Sequence, residues 1–149
     1  MKNIITAIAI MFISFGLNAQ TAFRVKVDSF YNFKFDKNLS ASEALNDNKF
    51  IELPGHVGKT DIIVNEMSET IIMKFDGMTY TLNMLGHPNG NKDAYIYEYK
   101  DGDKMVRGQM SFVYGSAGGR YVLAESQDEN PNYTKACIAK IKVKIKNPD

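Results

Sequence analysis

The chain has 149 residues, 18 basic and 17 acidic, with a formal charge of +1, a single cysteine and no tryptophan. Near-neutrality removes the electrostatic footprint on which nucleic-acid binding leans. A lone Cys137 excludes an intramolecular disulfide, and the length suits one domain whose core needs no staples.

The first 19 residues read as targeting rather than fold. "MKNIITAIAIMFISFGLNA" carries one early cation, Lys2, an apolar run from Ile4 to Leu17, and small residues at the close. That layout is a secretory signal peptide with cleavage after Ala19. A retained anchor is the competing reading, but the run is shorter than the roughly 20 residues a spanning helix needs. The expected product, residues 20–149, is a single all-β domain, periplasmic or secreted, with no membrane span. Its basic and acidic residues balance at 17 each.

From Phe23 to Phe35 the odd positions are mostly apolar and the even ones mostly polar. This period of two marks a half-buried strand, with a bend expected near Asp28–Phe30 because thirteen residues exceed a typical strand. "LSASEALND" is the one helical candidate. Ser40 and Glu43 fit a capping box, and so short a helix must flank or plug a sheet to persist. Weaker strands fit "KFIELP" and "DIIVNEM".

"IIMKFDGMTYTLNM" carries the strongest hairpin signal, Asp76–Gly77 between two alternating runs. A two-residue loop pairs Phe75 with Met78, Met73 with Tyr80 and Ile71 with Leu82, all on one face. Turn chemistry and hydrophobic parity agree on that register. Asp101–Gly102 predicts a second hairpin, pairing Tyr99 with Lys104, Tyr97 with Val106 and Tyr95 with Gly108. Tyr95, Tyr97, Met110, Phe112 and Tyr114 then share a face, and a ring is expected to cover Gly108. "GSAGG" turns the chain into "RYVLAES", and a polar loop, Gln127 to Tyr133, precedes the last strand. That strand alternates Cys137, Ala139, Ile141, Val143 and Ile145 against Lys140, Lys142, Lys144 and Lys146.

These elements predict an all-β fold: an antiparallel meander of eight to nine strands with one short helix, closed or nearly closed into a small barrel. A β-sandwich is the alternative. The architecture is similar to that of the calycin-type barrels (lipocalins, avidins). The resemblance stops at architecture, because a chain without tryptophan lacks the lipocalin Gly-x-Trp signature.

The two histidines, His56 and His87, sit in Gly/Pro-rich loops. Zinc needs three or four ligands, and no His-x-His or His-x-x-x-His spacing is present, so strand corners are the better reading. "NGNKD" places Asn89, Asn91 and Asp93 like the start of a calcium loop, but Ala94 and Lys100 stand where an EF-hand needs Gly and Glu. Nucleophile-elbow and P-loop spacings are absent. No catalytic residue, metal or cofactor is therefore assigned.

The tyrosines stand out. Tyr31, Tyr80, Tyr95, Tyr97, Tyr114 and Tyr121 fall on expected inward faces, and a buried phenol needs a hydrogen-bond partner. A lumen holding a small amphipathic ligand would supply one; backbone carbonyls or the barrel mouth would serve as well. The leading expectation is an exported, non-enzymatic binding module with a tyrosine-lined apolar interior. The alternative is a surface-acting interaction protein, an inhibitor or envelope component, using an outer basic stripe of Arg24, Lys26 and the four C-terminal lysines. A hydrolase built on His56 or His87 comes third.

Overall fold

The computed structural model describes residues 22–55, 58–114 and 119–146. The expected leader and His56 lie outside that range. Among the described residues, ten strands form a single sheet, accompanied by one α-helix. No helix among them is long and apolar enough to cross a membrane.

The strands are β1 (Ala22–Val27), β2 (Tyr31–Asp36), β3 (Phe50–Glu52), β4 (Thr60–Asn65), β5 (Thr70–Phe75) and β6 (Met78–Gly86), followed by β7 (Ala94–Asp101), β8 (Lys104–Tyr114), β9 (Arg120–Gln127) and β10 (Tyr133–Lys146). From β4 to β10 each strand pairs antiparallel with the next, and β1 pairs with both β4 and β10. Eight strands thus close a barrel, which removes the sandwich alternative. β2 and β3 hang from β10 outside the closure.

The expected bend in Phe23–Phe35 is a change of role. β1 lies along the second half of β10, whereas β2 lies along its first half. Val25 and Val27 point into the barrel. After the break at Asp28–Ser29 the parity flips. Phe30 joins the barrel core, and Phe33 and Phe35 enter a second, outer core. There Ala41 and Ala44 of helix α1 (Ala41–Asn46) pack against both rings and Ala136. The expected capping box is present: Glu43 N donates to Ser40 Oγ at 3.2 Å, and Ser40 N donates to Glu43 Oε2 at 2.8 Å.

The barrel interior is apolar. Val25, Ile62, Val64, Ile71, Met110 and Val122 are wholly buried, each side chain contributing about 1.5–3 kcal/mol relative to exposure. The β5–β6 hairpin has every pairing its Asp76–Gly77 turn predicts. Both loop residues take positive φ, 49° and 75°, as a type I′ turn requires.

The second hairpin departs from expectation. Asp101 pairs with Lys104, so the loop is Gly102–Asp103 and Tyr97, not Tyr95, faces Gly108. Gly102, at φ 59°, takes the first loop position, where type II′ turns place glycine. The slip is two residues, which keeps every side chain on its expected face.

The outer basic stripe does not form as expected. The β1–β10 register shifts between Lys26 and Val27, so Val25 opposes Lys144 rather than an apolar residue. Lys144 then lies on the Phe23 side, its ammonium 4.5 Å from that ring's centroid. Lys142 pairs with Asp28 and Arg24 with Asp61.

A candidate ligand cleft where the barrel wall parts

Strands β6 and β7 pair only from Asn83–Glu98 to Gly86–Ile96. Beyond that point they separate: Met78–Leu82 continue with β5 alone, and Tyr99–Asp101 with β8 alone. The parting opens a cleft of about 370 Å³ into the barrel. Tyr80 and Leu82 line one lip, Tyr97 and Tyr99 the other, and Met110, Ala124 and Cys137 lie beneath. Phe75 and Tyr80 stack at 5.0 Å with planes 6° apart, forming an aromatic shelf. Tyr80 remains 41% exposed because no neighbouring strand covers it.

Polar groups gather on the side where β10 meets β2 and β9. Asn32, Ser126 and Lys135 line the cleft there, and Asn32 Nδ2 donates to the Gly55 carbonyl at 3.0 Å. The Cys137 thiol, pushed up to about 11 by burial, stays protonated at neutral pH and behaves as an apolar wall.

Comparison of the chain with family models, with curated proteins and with solved structures finds no match.

The six tyrosines singled out by parity divide. Tyr80 and Tyr97 line the cleft. Tyr97 crosses Gly108 and donates to the Glu125 carbonyl at 3.2 Å, and burial raises its phenol above the ordinary value. Tyr95 is buried at the opposite end of the barrel. It donates to Glu66 Oε1 at 2.9 Å, and desolvation followed by that bond raises its phenol too.

Tyr31 and Tyr121 do not face the interior, which corrects the parity expectation, and Tyr114 keeps the parity of the core residue Phe112 but lies too far along β8 to be enclosed. Tyr31 follows the flip at Ser29 and lies on the outside, donating to Glu52 Oε1 at 2.6 Å; that bond pushes its phenol up to about 12. Tyr114 is 68% exposed beyond the barrel's rim, with the Arg120 guanidinium 5.8 Å from its ring. Tyr121 alternates with the buried Val122 and opposes the exposed Lys140, so it belongs to the outer face. The phenols whose contacts are described find protein partners, so their presence is not what argues for a ligand. The parted strands are.

Among the cleft residues that the sequence reading did not single out, Tyr99 and Lys135 carried a signal. Tyr99 shares the odd parity of Tyr95 and Tyr97. Lys135 shares that of Cys137, a cation in an otherwise apolar series, which is a readable signal.

At the far end, Phe23, Tyr95 and Phe112 plug the barrel, the Phe23 and Phe112 rings meeting edge-on at 5.1 Å. His87 closes over Tyr95 at 4.8 Å between centroids. Its Nδ1 lies 2.8 Å from the Ala94 carbonyl, which accepts only, so Nδ1 carries the proton and Nε2 faces Glu66 at 3.9 Å. His87 thus sits at a strand corner. Among the described residues no three His, Cys, Asp or Glu side chains converge as a metal site.

Proposed function

We propose that this chain is an exported binding module that holds a small amphipathic molecule in the cleft between β6 and β7. One observation carries the reading: the barrel wall parts on an apolar, aromatic interior of about 370 Å³. That volume lies toward the small end of ligand pockets, which run from about 300 to 1,000 Å³. Its composition fits such a site, being mostly apolar with a few polar groups on one side. Export rests on the leader-like residues 1–19.

Intact and native mass spectrometry of protein taken from its own host addresses both parts. The expected result is a chain beginning at Gln20 with a non-covalent adduct. Uptake of N-phenyl-1-naphthylamine, excited at wavelengths where tryptophan does not absorb, gives an independent check. Ser126→Trp, which fills the cleft from β9, is expected to abolish uptake while leaving the circular dichroism spectrum intact. A bare mass together with no dye uptake by the wild type would overturn the reading.

A further inference from the structure

We propose that the cleft selects an anion: its ligand carries a single negative head group, of the carboxylate class, on an apolar tail. This rests on the binding reading above and specifies its chemistry. Lys135 is the one charged residue among the described residues lining the cleft. Directly opposite it in the β2–β10 register stands Lys34. Like charges facing each other across an antiparallel pair repel and destabilise the sheet, and an anion between them relieves that repulsion.

The carboxylates nearby do not remove the need. Asp128, itself buried, forms an ion pair with the Lys135 ammonium at 3.8 Å without a hydrogen bond, while its Oδ1 accepts from Asn130 N at 2.8 Å, so one carboxylate stands against two facing lysines. Asp36, two residues along β2 from Lys34, accepts from both the backbone and the side chain of Asn38 through Oδ1. The Lys34 ammonium rests 5.0 Å from the Tyr133 ring centroid and makes no ion pair among the described residues. Lys135 thus stands at the same side of the cleft as Asn32 and Ser126, with the aromatic shelf of Phe75 and Tyr80 across it, and Lys34 lies next to it on β2, just outside the lining. A head group at the lysines leaves the tail over Met73, Leu82 and Tyr99.

The test is displacement of N-phenyl-1-naphthylamine from the full-length chain by decanoate, decanol and decylamine, three ligands sharing one tail. Charge-assisted hydrogen bonds predict that decanoate displaces the dye at about tenfold lower concentration than decanol, with decylamine weakest. In Lys34→Gln/Lys135→Gln the preference for decanoate over decanol is expected to collapse, and Lys135→Arg is expected to keep it. Thermal melts establish that each variant is folded, and Lys34→Gln alone, on the outlying strand, serves if the double variant is not. Equal displacement by decanoate and decanol, or a preference that survives loss of both lysines, overturns the anion while leaving the binding module standing. Failure of every ligand and of the dye itself overturns both.

Discussion

Gly108 shows how one missing methyl group organises the barrel wall. A Cβ there would lie 2.3 Å from the Glu125 carbonyl oxygen and 2.4 Å from the Tyr97 hydroxyl. The ring could swing aside, but the carbonyl belongs to the β8–β9 ladder and cannot. Gly108→Ala is therefore expected to lose about 2 kcal/mol or more in urea unfolding, within the range found for overpacked sites. Tyr97→Phe is expected not to rescue it. Glu125 itself lends stability an unusual pH trend. Burial raises its carboxyl above the ordinary value, so the folded state favours the proton and the charged form opposes folding. The penalty is complete above the raised value and disappears as pH falls below the ordinary one. Glu125→Gln is expected to raise the Tm at pH 7 by about 1–2 °C, a modest figure because the group is partly solvated. That advantage closes below the ordinary carboxylate range, and a Tm difference independent of pH would refute this assignment.

Elements differ in how much of them local sequence decides. The β5–β6 hairpin was legible residue by residue, because a type I′ turn and a period of two are both properties of neighbouring residues. The α1 capping box was legible for the same reason. The β7–β8 hairpin was legible only to within its parity: Asp101–Gly102 fits one loop, Gly102–Asp103 another, and the pairings of β7 with β6 and of β8 with β9 select between them. Phe23–Phe35 misled further. Its alternation falters at Ser29 and Phe30, which marks the strand break, but not that the second half goes to another core, a decision made by pairing with β10. Tyr31 was misplaced on that account. At Gly77 the left-handed φ of 75° has open space around it, so only backbone strain opposes a side chain. Gly77→Ala is expected to lower unfolding stability by about 1 kcal/mol and to leave the β5–β6 register unchanged by amide exchange.

For the whole molecule, closure depends on one long strand. β10 holds β9 and β2 along its first half and β1 along its second. Ending the chain at Lys140 takes away one of the two partners of β1 and reopens the barrel between its first and last strands. Such a chain is expected to lose the cooperative thermal transition, not merely to shift it, because interior residues of β1 such as Val25 and Val27 meet water. A sharp melt in the truncated protein would mean that β1 is held by β4 alone. The candidate site is legible at this scale and at no smaller one. Tyr80, Tyr97 and Tyr99 are predictable inward residues, but that β6 and β7 part above Asn83–Glu98 follows from how eight strands close, not from any motif.

The separation of those two strands also bears on kinetics. A guest entering through the end of a closed cylinder must pass its cap, and its arrival then waits on some loop opening. Here the doorway runs lengthwise, so an elongated molecule can slide in broadside. For the ligand proposed above, capture and release are expected to be fast and to depend only weakly on temperature, as for a berth open along its flank.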